Sequence, residues 1–317
     1  MNAELNRNIR QLLASRSLDQ PSIAIVAPSG YAPQADAIER GMATLREQGC
    51  RVRNFSDPER KFQRFGASDD ERIAQLYAAA GDPDVDVVLA LRGGYGLSRL
   101  LPALDFSALA ASGKLFVGHS DFTALQMGLL QHGGVSFSGP MLCDDFVRDE
   151  LSSYTLNDFW QCLTQPEHRV SGEAADNPDI DVAGTLWGGN LAMLTHLAGS
   201  PWLPDVANGI LFVEDINEHP YRVERMMLQL LHAGVLEKQA AVLLGDFSGY
   251  RLTDYDNGYD FVRMVAYLRA QLPVPVLTGL QVGHGRDKAT LAIGANATLK
   301  SAGGRFTLQM SGYPHLA

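Results

Sequence analysis

Paired cysteines are missing from this sequence. Its three, Cys50, Cys143 and Cys162, are odd in number, far apart and in no Cys-x-x-Cys spacing. That excludes a disulfide framework and a cysteine-based zinc site, and it fits a reducing compartment. Long apolar runs are missing as well. No stretch reaches the roughly 18 apolar residues of a membrane span, and the polar, charged residues 1–20 hold no apolar core of signal-peptide length. A cytoplasmic protein, with no membrane as partner, is expected. Positive charge is scarce: 26 Lys and Arg stand against 36 Asp and Glu, for a net charge of −10 and a pI near 5.2. Such a surface repels nucleic acid and anionic membranes, leaving room only for a local basic pocket. There is also no internal repeat and no low-complexity tract.

What is present is an ordinary globular composition, 46% hydrophobic and 20% charged over 317 residues, enough for two domains or one large one. Leu5, Ile9, Leu12 and Leu13 share one face of a short helix that Asp19-Gln20-Pro21 ends. Residues 22–30 form a near-continuous apolar run, the mark of a strand buried on both faces in a parallel sheet. A helical pattern over 35–48 stops at Gly49, residues 51–55 read as a strand, and 69–80 as a helix. Residues 85–91 read as another buried strand, ending in Arg92-Gly93-Gly94-Tyr95-Gly96, and 115–117 as the next. Strand alternating with helix predicts an α/β fold with a parallel sheet, whose ligands bind at the carboxyl ends of the strands. Gly93, Gly94 and Ser120 lie at such ends. Residues 1–163 are expected to form this domain, polar and Pro-containing 164–183 a linker, and 184–317 a second domain. In the second, strands are expected at 209–213 and 240–245, and helices after Pro220 and over 261–272. Residues 289–293 and 306–310 read as an antiparallel edge.

The stretch with chemical potential is Leu115-Phe116-Val117-Gly118-His119-Ser120-Asp121, which runs from a strand straight into the helical pattern 122–131. A serine at such a corner is pushed out of the turn, and the N–H groups at the helix start can stabilise an oxyanion. Phe122 stands where the last glycine of Gly-x-Ser-x-Gly belongs, so the alternative, that Ser120 or Asp121 only caps the helix, stays open. A catalytic serine needs a base, and the base an acid to orient it. His284, flanked by Gly283 and Gly285, sits on a tightly bent loop, whereas His132, His196 and His232 fall in helical patterns and the ring of His119 is expected to point away from the hydroxyl. Glu214 follows four apolar residues and is the acid expected to be dry, with Asp215, Glu218 and Asp246 as competitors. The run Arg92 to Gly96 fits neither phosphate-binding glycine motif. Tyr95 and Trp187 suit a core or the wall of a cleft, and Arg92 and Arg222 suit a substrate carboxylate or a surface ion pair.

Six segments in this order, Ile25-Val26-Ala27-Pro28-Ser29-Gly30, Arg92 to Gly96, Gly118-His119-Ser120-Asp121, Gly184-Thr185-Leu186-Trp187-Gly188-Gly189-Asn190-Leu191, Glu214-Asp215 and Gly283-His284, together resemble the LD-carboxypeptidase family. Its members include the muropeptide L,D-carboxypeptidases and the microcin C self-immunity peptidases. The resemblance implies an N-terminal parallel α/β domain carrying the nucleophile and a C-terminal β-rich α+β domain, with the active site in the cleft between them. It implies Ser120 as nucleophile, His284 as general base and acid, and Glu214 as its orienting partner. The implied oxyanion hole comes from the N–H of Asp121 and the Gly93-Gly94 turn. It also implies a homodimer without metal or other cofactor. The run 213–225 is most similar to the muropeptide-recycling enzymes, which cut the L,D amide between meso-diaminopimelate and the terminal D-alanine of a murein tetrapeptide. Two alternatives remain: hydrolysis of another amide, such as a peptidyl-nucleotide antibiotic, and a nucleotide- or sugar-binding protein without catalysis.

Overall fold

The computed structural model describes residues 2–317 except 17 and 19, so Asp19 of the expected helix stop lies outside the described residues. The chain runs through α1 (Asn2–Ser15), β1 (Ser22–Val26), α2 (Ala37–Glu47), β2 (Arg51–Asn54), α3 (Asp69–Gly81), β3 (Val87–Ala90), α4 (Phe106–Ala111), β4 (Leu115–Gly118), α5 (Thr123–Gln131) and β5 (Ser136–Ser138). It continues with α6 (Leu142–Asp145), α7 (Ser153–Thr164), β6 (Glu167–Glu173), β7 (Ile180–Asn190), α8 (Leu191–Leu197), β8 (Ile210–Ile216), α9 (Pro220–His232) and β9 (Ala241–Ser248). The last elements are α10 (Phe261–Gln271), β10 (Val276–Leu277), β11 (Leu291–Ile293), β12 (Asn296–Ala302) and β13 (Arg305–Ser311).

Two sheets carry the architecture. The first has the order β11-β5-β4-β3-β1-β2 and is parallel except for β11. Every residue of β1, β3 and β4 is buried, which is why these segments carry unbroken apolar runs instead of an alternating pattern. The polar Arg51-Val52-Arg53-Asn54 of β2 sits on the outer edge, where charged side chains blunt pairing with another chain. The second sheet has the order β10-β9-β8-β7-β12-β13-β6. Strand β7 belongs to two regimes: residues 180–185 pair antiparallel with β12, and 186–190 pair parallel with β8. Pro220 opens α9 and Val223, Met226, Met227 and Leu230 bury one face, as their spacing of three and four residues predicts.

Two expectations fail here. Residues 164–183 are not a linker: β6 pairs with β13 from Glu167↔Ser311 to Glu173↔Arg305. Its His168 and Val170 point inward while Glu167, Arg169, Ser171 and Glu173 face water, and an edge strand of so polar a face reads as a loop when only composition is weighed. Nor do 289–293 and 306–310 pair with each other. Strand β11 crosses to the first sheet and lies antiparallel to β5, while β13 pairs with β12, a strand the sequence reading missed because its inward residues are the modest Ala297, Leu299 and Ser301.

The crossing of β11 makes the two halves share a core and a set of buried polar ties. Lys288, just before β11, is 3% exposed and its Nζ lies 2.7 Å from Oδ1 of Asp145, itself 2% exposed, at the end of α6. The Lys288 N–H donates to Thr155 Oγ1 at 2.9 Å, and the Ser152 hydroxyl to Asp287 at 2.5 Å. A buried pair broken on one side leaves a bare charge in the interior. Lys288→Met is therefore expected to destabilise the protein by about 3 kcal/mol or more, read as the shift in a urea unfolding midpoint. Adding Asp145→Leu should cost less than the sum of the two single losses, because no charge is then stranded. Strictly additive losses would show that the pair carries no coupling.

Candidate active site

Ser120 and Gly93 follow parallel strands of the first sheet, Glu214 lies near the carboxyl end of β8, and His284 lies between β10 and β11. Ser120 follows β4 and adopts φ +62°, a left-handed conformation that serine seldom takes. The strain is the expected signature of a side chain forced out of a strand-to-helix corner. The capping alternative fails: neither the three-residue turn at Ser120–Phe122 nor α5 has a side-chain cap. The Asp121 carboxylate instead accepts the Ser29 hydroxyl at 2.6 Å and the Leu97 N–H at 2.9 Å. Burial pushes the Asp121 carboxyl up, against the lowering effect of these hydrogen bonds. Gly93, after β3, lies flat against the serine. A Cβ there would fall 2.8 Å from Ser120 Cβ and 2.9 Å from its Oγ, so any other residue would occupy the space of the hydroxyl.

From the second sheet come the other two groups. Glu214, in β8, is 1% exposed, and its Oε2 lies 2.7 Å from Nδ1 of His284. A carboxylate can only accept, so Nδ1 carries the proton and Nε2 keeps its lone pair. Burial opposes the imidazolium, but the hydrogen bond and charge of Glu214 outweigh it and hold His284 above the ordinary histidine value. Gly283 lets the loop close: at φ +134°, a Cβ there would meet Asp246 Cβ and Glu214 Oε2, each at 3.1 Å. The other oxygen of Glu214 accepts from Asn190 Nδ2 at 3.3 Å, and the same nitrogen donates to Asp215 at 3.0 Å. The Asn190 N–H donates to Thr123 Oγ1 at 3.0 Å, three residues beyond Ser120. The acid is thus tied to the helix that follows the serine.

The competitors are all engaged elsewhere. Asp215 accepts the Ala192 and Ile216 N–H groups, and burial, with the charge of Glu214, raises it to about 6. Glu218 pairs with Arg222, and Asp246 accepts the Ser248 hydroxyl. Of the other histidines, His132 stacks on Phe106 and bonds the Gly128 carbonyl, while His196 and His232 are exposed. His119 makes a contact that the sequence did not suggest. Its ring stands edge to face on His284 with centroids 5.1 Å apart. Its Nδ1 donates to the Gly139 carbonyl at 2.8 Å, and burial, then the charges of Lys288 and His284, hold it well below the usual histidine range. A neutral ring therefore packs on His284, and Ser120 is its chain neighbour. Sequence spacing held no signal for this contact, because the two residues lie 165 positions apart and meet only through the fold.

The four expected substrate contacts divide. Trp187 is corrected to a core residue: it is 1% exposed and its Nε1–H donates to Gln239 at 2.8 Å, since residues 186–190 run through the middle of the second sheet. Arg222 is exposed and committed to Glu218, whose hydrogen bond and charge raise the guanidinium further. Tyr95 is 48% exposed on the loop after β3, tilted against Phe65. Arg92 is half-buried on the same loop, and its only side-chain hydrogen bond among the described residues is to the Tyr31 carbonyl, at 3.3 Å. Among the described residues no cluster of His, Cys, Asp and Glu could hold a metal ion.

Known proteins resemble this chain over most of their length. The model of the LD-carboxypeptidase N-terminal domain matches residues 23–139 and that of the C-terminal domain residues 183–299. The crystal structure of the muramoyltetrapeptide carboxypeptidase from Oxalobacter formigenes is 55% identical and superposes with a TM-score of 0.90, covering 92% of this chain and 99% of that one. The probable murein peptide carboxypeptidase of Bacillus subtilis is 30% identical over 285 residues, 89% of each chain. The murein tetrapeptide carboxypeptidase of Pseudomonas aeruginosa is 28% identical over 289 residues, 88% of this chain and 92% of that one. With one half carrying the strained serine, the other the Glu-His pair, and both halves matched in order, this chain belongs to the LD-carboxypeptidase family.

Proposed function

We propose that this protein is a serine carboxypeptidase that removes the terminal D-alanine from murein tetrapeptides, with Ser120, His284 and Glu214 as its triad. The observation that carries the reading is the 2.7 Å bond from a buried Glu214 to His284 Nδ1, which leaves Nε2 free to act as a base; the left-handed backbone of Ser120 supports that serine as its partner. The names of the relatives supply the substrate class. In the reaction, Ser120 Oγ attacks the carbonyl carbon of the L,D amide as His284 Nε2 takes its proton. The oxyanion is held by the N–H of Asp121 and by the Gly93-Gly94 turn. The C–N bond breaks as the imidazolium gives its proton to the leaving D-alanine amine. Water, deprotonated by the same nitrogen, then releases the tripeptide acid and regenerates the serine.

The free carboxylate of the last residue needs a cation despite the net charge of −10. With Arg222 occupied by Glu218, Arg92 is the guanidinium for that role, and Tyr95 beside it lines the approach. The same reading places the enzyme in the cytoplasm as a homodimer. Three buried free thiols fit a reducing compartment, and light scattering on the purified protein tests the dimer.

Three outcomes follow. Ser120→Ala and His284→Ala should fold and each lose nearly all turnover of murein tetrapeptide, and the double variant should lose no more than the worse single, since the two share one step. Wild-type turnover in Ser120→Ala ends the reading. The kcat/KM of the wild type should fall as pH drops through a midpoint above the ordinary 6.5, because the base must be neutral and Glu214 favours its charged form. Glu214→Gln should move that midpoint down while lowering the plateau, and a flat profile from pH 5 to 8 argues against His284. Amidating the terminal D-alanine should lower kcat/KM by about a hundredfold, and Arg92→Gln should erase most of that preference. Equal turnover of acid and amide would favour a hydrolase of another amide.

A further inference from the structure

Two buried side chains of opposite charge, neither of them in the triad, grip the same two loops beside the nucleophile. One is Asp121, 3% exposed, which accepts the Ser29 hydroxyl at 2.6 Å and the Leu97 N–H at 2.9 Å. The other is Arg72 of α3, fully buried, whose Nη1 donates to the carbonyl of Gly96 at 3.0 Å and to that of Pro28. The Gly96 carbonyl and the Leu97 N–H belong to one peptide unit. That unit is therefore held at its oxygen by a cation and at its hydrogen by an anion, and it cannot rotate without breaking both. On the other loop, Pro28 and Ser29 receive the same two grips. The loops are joined directly by the Gly30 N–H, which donates to the Gly93 carbonyl at 3.3 Å. Arg72 is itself fixed, by Asp69 at 2.5 Å and by the face of Phe65, 4.7 Å from the guanidinium carbon.

Removing either charge from water carries a desolvation cost, which packing alone does not require of this corner. The segment so braced runs from Gly93, which touches Ser120, to Leu97. We infer that Asp121 and Arg72 are positioning residues of the reaction, which pin the 96–97 peptide from both ends and so hold the Gly93-Gly94 backbone at the distance from Ser120 that oxyanion stabilisation needs. The inference rests on the serine-peptidase reading above. It gives Asp121 two separate tasks: its N–H faces the developing charge, and its carboxylate fixes the opposite wall.

The test uses Asp121→Asn and Ser29→Ala in the full chain, with wild type alongside and murein tetrapeptide as substrate. Asparagine keeps the shape at 121, but only its oxygen accepts, so the single oxygen that now serves two donors loses its charge. Asp121→Asn is expected to lower kcat about 10- to 100-fold, as a wall displaced by a fraction of an ångström would, with KM kept within about twofold. Ser29→Ala, which removes one hydroxyl and is the milder change should Asp121→Asn fail to fold, is expected to lower kcat about 3- to 10-fold in the same manner. In both, the pH midpoint of kcat/KM should stay in place, because neither change touches His284. A folded variant with kcat within about twofold of wild type, a loss confined to KM, or a moved midpoint each overturns the inference. Wild type that leaves the tetrapeptide intact overturns the serine-peptidase reading instead, and the inference with it.

Discussion

A carboxylate taken almost wholly out of water has to be given partners, and the site depends on how Glu214 is given its own. One oxygen accepts from His284 Nδ1 and the other from Asn190. In water such a pair would be worth little; at 1% exposure it settles the tautomer of His284 and raises its proton affinity. The neighbouring Asp215 shows the cost of this arrangement. Two acids placed side by side in a dry strand cannot both ionise freely, and Asp215 rises to about 6 even with two backbone donors.

Because Ser120 and the Glu214–His284 pair come from different halves of the chain, the junction between those halves sets the geometry of the candidate site. Three features hold it. Strand β11 completes the first sheet, Lys288 and Asp145 pair within the shared interior, and the Asn190 N–H bonds Thr123 at the start of the helix behind Ser120. The last of these joins Glu214 to the helix that follows Ser120 through one residue. His119 adds a fourth contact by packing a neutral ring on His284. Loops carry Gly93 and His284, and these contacts tie those loops to the strands and helices of both halves.

Much of this was legible in the sequence where chemistry and pattern coincide. The unbroken apolar runs of β1, β3 and β4 announce a parallel sheet, and Gly118-His119-Ser120 at the end of one of them announces the elbow. Glu214 stood out as an acid delivered by an apolar strand, and His284 as a histidine between glycines. What stayed hidden depends on partners distant in the chain. Strand β6 has too polar an outer face to be recognised without its neighbour β13, and β11 gives no sign that it will leave its own half of the chain. Trp187 reads equally well as a cleft wall or as core until Gln239 is seen beneath its indole N–H. The brace formed by Arg72 and Asp121 is equally invisible, since an arginine in an amphipathic helix ordinarily faces water.

The central claim, a serine made nucleophilic by a Glu-oriented histidine, is tested most directly by the reactivity of that serine itself. A serine-reactive phosphonate incubated with the purified protein, followed by a peptide map, is predicted to place a single label on Ser120. Its rate should rise with pH as His284 loses its proton, and labelling should vanish in His284→Ala. A protein that stays unlabelled, or that carries the label on another serine, would contradict the account.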